Sequence, residues 1–137
     1  MKIKKKKISL KITTSKHITC DLKLNNKDAR FLVDTGASNS CFDIFKKEKY
    51  NIQSKGKEIE LTSAAEKKMG AICSENCKLF FNSQKIIDVR LMLIEMSTIN
   101  NALKELKEEE IDGILGGDIL NEIKAKINYE KLSIDLI

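Results

Sequence analysis

Apolar and polar residues alternate along the first third of the chain, and few patterns constrain a fold more tightly. Ile8, Leu10 and Ile12, then Ile18, Cys20, Leu22 and Leu24, fall two positions apart. That is the period of a strand with one buried face, and it does not fit the 3.6-residue period of a helix. Two strands are expected here, with a break near Ser15-Lys16. Asn25-Asn26-Lys27-Asp28 is a turn cluster, after which Ala29-Arg30-Phe31-Leu32-Val33 runs straight into Asp34-Thr35-Gly36. Asp34 is therefore expected at a strand end, on a sharp turn.

Downstream, Asp43 to Tyr50 reads as a short helix with Asp43 as N-cap. Lys57 to Thr62 alternates, 63–70 is small and polar, and Ala71 to Phe81 returns as strand, which predicts a hairpin with residues 63–70 at its tip. After the turn Asn82-Ser83-Gln84, Lys85 to Ile94 reads as one apolar strand. Asn100 to Glu110 reads as a polar helix with Ala102, Leu103 and Leu106 facing inward. Ile111 to Asp118 is an apolar strand ended by glycines, Ile119 to Lys124 a second helix with Asp118 as N-cap, and Ala125 to Ile137 two short strands. The expected class is mainly β. With 137 residues, no internal repeat and no linker-like stretch, a single domain over 1–137 is expected, led by a basic N-terminal arm at 1–7.

The net charge of +5 comes mostly from that arm, Lys2 with Lys4 to Lys7. The cluster is terminal and contains no aromatic residue for stacking, so it reads as a solvated arm and nucleic acid is not expected as a partner. The residues after it alternate, which is unlike the continuous apolar stretch of a signal peptide, and no run reaches membrane-spanning length. No membrane association and a cytoplasmic location are the expectations. Cys20, Cys41, Cys73 and Cys77 read as reduced, mostly buried thiols. Cys73 and Cys77 are spaced for two metal thiolates, but His17 is the only histidine, short of a four-ligand zinc site. Neither metal nor cofactor is expected.

His17 would also have to serve any Ser-His-Asp or Cys-His mechanism, and it lies in a strand with no G-x-S-x-G pattern anywhere. A G-x-x-x-x-G-K-[ST] phosphate loop is absent too. Carboxylates remain. Asp34 stands out because a buried strand fixes and partly desolvates it, while Thr35, Gly36, Ala37 and Ser38 are small enough for the chain to curl tightly after it.

Phe31-Leu32-Val33-Asp34-Thr35-Gly36-Ala37-Ser38 resembles the catalytic signature of the retroviral-type (retropepsin-like) aspartic proteases. Gly113-Ile114-Leu115-Gly116-Gly117-Asp118-Ile119-Leu120, about eighty residues on, resembles that family's second signature, which packs beneath the catalytic loop. The resemblance implies a single-lobe closed β-barrel with a flap hairpin and short helices. It implies catalytic roles for Asp34, Thr35 and Gly36, and substrate contacts from Ala37 and from the flap residues Thr62, Ser63, Ala64 and Ala65. The chain departs from many viral members at Gly117, where they carry arginine, and in a flap tip, Ala64 to Lys68, that is not glycine-rich.

One such motif supplies one carboxylate, and peptide hydrolysis by this chemistry needs two. The expectation is a homodimer in which Asp34 and its copy share a site, acting on an extended peptide or protein substrate. Asp112 is the within-chain alternative, with a plain turn role as its competitor. A catalytically silent module that keeps the fold and binds an extended peptide is the alternative function.

Overall fold

The computed structural model describes residues 6–54, 59–62 and 68–136, of which 6, 59–62 and 68–71 are described by backbone alone. The architecture is mainly β with two short helices. A three-stranded antiparallel sheet has the order β1 (Lys6–Ser9), β13 (Ser133–Leu136), β12 (Lys126–Asn128). Lys6 and Lys7 of the expected arm are thus strand residues, opposite Leu136 and Asp135. The alternating run 8–12 divides between two sheets, because β2 (Lys11–Ile12) pairs with β3 (Ile18–Leu24) in the larger one.

The larger sheet has ten strands. Beyond β2 and β3 they are β4 (Lys27–Val33), β5 (Cys41–Asp43), β6 (Ile59–Thr62), β7 (Lys68–Cys73), β8 (Cys77–Phe81), β9 (Gln84–Val89), β10 (Met92–Ile94) and β11 (Gly113–Leu115). Their order is β6-β7-β10-β5-β11-β4-β3-β8-β9. Two of the hairpins show how a chain without proline makes tight turns. Asn25-Asn26 joins β3 to β4, and Asn82-Ser83 joins β8 to β9. All four residues have positive φ, the backbone that two-residue hairpin loops need and that asparagine tolerates. The Asn25 side chain adds bonds to Tyr50 O (3.0 Å) and from Lys78 N (3.0 Å).

The expected strand Lys85 to Ile94 is two strands. Val89, Leu91 and Leu93 are all buried, so the alternation runs through the break unbroken. What changes is the partner: β9 pairs with β8, while β10 lies between β5 and β7. At the crossing, Ser74 N donates to Leu91 O (2.8 Å) and Leu91 N donates to Ser74 Oγ (2.8 Å).

Asp43 caps a single 3-10 turn, Ile44–Lys46, through a bond from Phe45 N, so the expected cap is present on a shorter helix. Helix α1 (Ser97–Glu105) starts three residues earlier than expected. The Asn100 carboxamide ties it to the chain beyond by bonding both Ile111 N (2.8 Å) and Ile111 O (3.0 Å). Helix α2 spans Gly117–Glu122, with Gly116 as its N-cap and Asp118 in its first turn. Asp118 is therefore not the cap, for a reason given below.

The main core lies on one face of the large sheet and includes Phe31, Phe42, Leu79, Leu91 and Leu93. Phe42 sits between Phe31 and the edge of Tyr50, at ring-centroid distances of 5.7 and 4.9 Å. A second, smaller cluster of Met96, Leu103, Ile111 and Ile114 lies under α1. All four cysteines are free, and burial pushes the Cys20 thiol up to about 12.

Candidate active site

β11 lies between β4, to which it is parallel, and β5, to which it is antiparallel. The chain leaves β4 at Val33, loops through residues 34–40, and returns as β5 on the far side of β11. β11 and the start of α2 thus form the floor of the loop. Asp34 N donates to Leu115 O (2.9 Å) and Gly117 N donates to Ala37 O (2.6 Å), which binds the loop to that floor at two points.

Inside the loop, Asp34 Oδ1 accepts the Gly36 amide (2.9 Å), and Ala37 N donates to Asp34 O (3.2 Å). The carboxylate is thereby aimed by its own turn. Gly36 serves by lacking a side chain, since a Cβ there would lie 3.2 Å from Asp34 Oδ1, and no described glycine has positive φ. Asp34 is half-buried, Thr35 and Gly36 are exposed, Ala37 is half-buried and Ser38 is exposed.

A second anchor closes the loop from behind. Ser40 is buried. Its amide donates to Asp118 Oδ2 (3.0 Å), its hydroxyl donates to Asp118 Oδ1 (2.6 Å), and the same hydroxyl accepts from Gly116 N (2.8 Å). Asp118 thus reaches back 78 residues to hold the catalytic-type loop instead of capping its own helix. Burial and the Asp118 carboxylate both raise the Cys41 pKa, so that neighbour stays a thiol, donating to Asn39 O (3.4 Å). Ser40 itself left no mark in the sequence: a serine six residues past Asp34 has no motif, and its contact with Gly116 and Asp118 of the second signature is non-local.

Directly opposed residues share a face of a sheet. The registers line up Thr19, Leu32, Ile114, Cys41, Met92 and Cys73 in one row across six strands. This row lies on the face opposite Phe31, Phe42 and Leu93. Asp34, two positions beyond Leu32, continues the same side. α1 covers Ile114, and Leu32, Ala37, Cys41 and Ile94 pack against the same cluster while staying half-buried, as does Met92 in the row, which leaves an apolar floor on the Asp34 side of the sheet.

The other expected site residues are placed unevenly. Thr62 ends β6 opposite Lys68, at the last described pair of an antiparallel hairpin with β7, while Ser63, Ala64 and Ala65 lie outside the described residues. Asp112 is fully engaged elsewhere: Oδ2 accepts Arg30 N (2.8 Å) and Oδ1 pairs with Lys46. Among the described residues no group of three or more His, Cys, Asp or Glu side chains is placed to hold a metal ion, and no helix is long and apolar enough to cross a membrane.

A family model described as aspartyl protease matches residues 20–119, well over half of the chain, and the chain belongs to that family. Solved structures with the same fold are retropepsin-like. A retropepsin-like aspartic protease from Rickettsia conorii has 18% identity and a TM-score of 0.62, over 97% of this chain and 92% of that one. EIAV protease complexed with the inhibitor HBY-793 has 17% identity and a TM-score of 0.54, over 86% and 98%. The retroviral protease-like domain of Ddi1 from Leishmania major has 13% identity and a TM-score of 0.59, over 87% and 92%. No curated protein matches the chain.

Proposed function

We propose that this chain is an aspartic endopeptidase, a single domain over 1–137 that hydrolyses peptide bonds as a homodimer. One observation carries the proposal: a half-buried carboxylate, Asp34, sits in a loop pinned from behind at Leu115, Gly116, Gly117 and Asp118, with Thr35 and Gly36 exposed in front. That open side is where a second copy fits, bringing its own Asp34 into the site, with Thr35 of each chain bonding across the axis.

Two carboxylates that close cannot both ionise, so the pair holds one proton. The charged one takes a proton from a water molecule as its oxygen attacks the scissile carbonyl carbon, and the protonated one donates to the carbonyl oxygen. Collapse of the tetrahedral intermediate breaks the C–N bond as the amine nitrogen takes up a proton from one carboxyl of the pair and a hydroxyl of the intermediate returns its proton to the other, which restores the singly protonated pair. The apolar floor beside Asp34 lowers the local dielectric, strengthening each of these interactions.

In this proposal the β6–β7 hairpin is the flap over an extended peptide, with Thr62, Ser63, Ala64 and Ala65 as substrate contacts opposite Ala37, and the large sheet closes into a barrel. Four free thiols suit a reducing compartment such as the cytoplasm. Asp34→Asn keeps size and most hydrogen bonding but removes the proton chemistry. Peptide-library hydrolysis should fall by at least about 10²-fold while circular dichroism and melting stay as in the wild type. Cleavage by the variant at the wild-type rate, or a wild type that cleaves nothing yet binds extended peptides as the variant does, would leave the silent binding module as the better account.

A further inference from the structure

A second recess lies on the same side of the sheet as Asp34, a cavity of about 280 Å³ between the β2–β3 hairpin and the segment after α1. Thr13, Thr14, Thr19, Arg30, Lys107 and Glu108 line it. Thr19 stands in the floor row beside Leu32, and Arg30 and Leu32 of β4, with Asp34 one residue past its end, alternate onto one side. At about 3.3 Å per residue, Arg30 is roughly 13 Å from Asp34, about four residues of an extended peptide. The volume falls below the ~300–1,000 Å³ of ordinary small-molecule pockets, a size for one side chain.

Glu108 is the unusual wall residue. Its side chain is 6% exposed, its Oε2 accepts Ser15 N (2.9 Å), and its buried Oε1 has no hydrogen-bond partner among the described residues. His17 Nδ1 is 3.9 Å from that oxygen and is already bonded to Ser15 Oγ (2.6 Å). The other charges largely cancel: Lys11 and Arg30 both pair with Asp21 (3.3 and 3.2 Å), and Arg30 also pairs with Glu109. What remains is one cation, Lys107, one carboxylate, Glu108, and the hydroxyls of Thr14 and Thr19, since that of Thr13 already bonds Ser15 Oγ (3.2 Å) and His17 N (3.1 Å). A guest of either full charge is opposed by half of that wall, whereas a neutral group with a donor at one end and an acceptor at the other is opposed by none of it.

We infer that this recess is a specificity pocket for a carboxamide side chain, Asn or Gln, of a peptide lying across the Asp34 face. The amide nitrogen donates to the Glu108 carboxylate, and the amide oxygen accepts from Lys107 or from the Thr14 and Thr19 hydroxyls. The inference rests on the peptide-cleft role proposed for that face, and it names a preference distinct from the apolar floor nearer to Asp34.

The test is selection of a randomised extended-peptide library on the full-length Asp34→Asn chain, which separates binding from cleavage. Asn or Gln should be enriched about tenfold at one position, the effect of one good polar pair. The enrichment should vanish when Glu108→Ala is added and weaken when Thr19→Val, a nearly isosteric control on folding, is added. A library without carboxamide enrichment, a position taken by Asp/Glu or by Lys/Arg, or an enrichment that both substitutions leave intact overturns the inference. Hydrolysis by the wild type is scored separately. Cleavage without the Asn/Gln preference sinks the pocket and spares the protease, and Asn/Gln enrichment without cleavage does the reverse.

Discussion

Three glycines in the second signature differ in how little room they have, and the differences are measurable. A Cβ on Gly113 would lie 2.5 Å from Cys41 O and within 2.9 Å of the Phe31 and Phe42 rings, and backbone and packed rings cannot yield. A Cβ on Gly116 would lie 2.7 Å from Ala37 O, whereas one on Gly117 meets nothing closer than 3.4 Å. Gly113→Ala should therefore cost on the order of 2–4 kcal/mol in urea unfolding, and Gly117→Ala should stay within about 0.5 kcal/mol of wild type. Equal costs would refute this ordering. The room at Gly117 also shows why a residue with a side chain can stand at this position in relatives without disturbing the loop.

The Ser40–Asp118 contact makes a second residue-scale prediction. Asp118→Ala leaves the buried Ser40 amide and hydroxyl without acceptors, a loss of about 1–3 kcal/mol, and frees the loop that aims Asp34. Asp118→Asn keeps one acceptor oxygen and should recover most of the stability. If Asp118→Ala melts with the wild type, the carboxylate is not what holds the loop.

At the scale of elements, the sequence was most legible where one residue type answers to one local rule. The alternation at 18–24 marks β3, the run Ala29 to Val33 after a turn cluster marks β4, and Asp43 marks a cap. The run 85–94 was misread because Val89, Leu91 and Leu93 keep their period while the strand exchanges β8 for β5 and β7, and a period carries no information about partners. Asp118 was misassigned for a related reason: a carboxylate in a first helical turn favours the N-cap assignment until its partner, Ser40, is known to lie across the fold. Asp34-Thr35-Gly36 and the second signature beneath it could be found in the sequence, but the Ser40–Asp118 contact that clamps them together could not.

The segment after α1 is strapped down by consecutive acids. Glu108 holds Ser15, Glu109 holds Arg30, Glu110 holds Lys46 (3.2 Å), and Asp112 holds Arg30 N and Lys46. The Ser15 hydroxyl, foremost, then the Ser15 amide, the Thr13 hydroxyl and His17 pull the Glu108 pKa below the ordinary glutamate value. A carboxylate depressed on folding stabilises the native state above its unfolded value, about 4.3, and that support is lost as pH falls through the lower folded value. Urea midpoints measured from about pH 6 down to about pH 3 should fall less steeply for Glu108→Gln than for wild type, with the slopes diverging only below about 4.3. Parallel curves throughout would mean that the strap does not depend on the charge of Glu108.

For the whole molecule, the central claim is that one chain carries half of a catalytic site. Dilution experiments bear on this, but they confound dissociation with unfolding. Mixing wild type with Asp34→Asn at fixed total chain concentration avoids that, because the variant is expected to fold and to pair. If the site needs Asp34 from both copies, activity follows the square of the wild-type fraction, and an equal mixture after subunit exchange keeps about one quarter of the full rate. Activity that instead falls linearly, with about one half remaining at equal mixture, would mean that each chain works alone and would contradict the shared site.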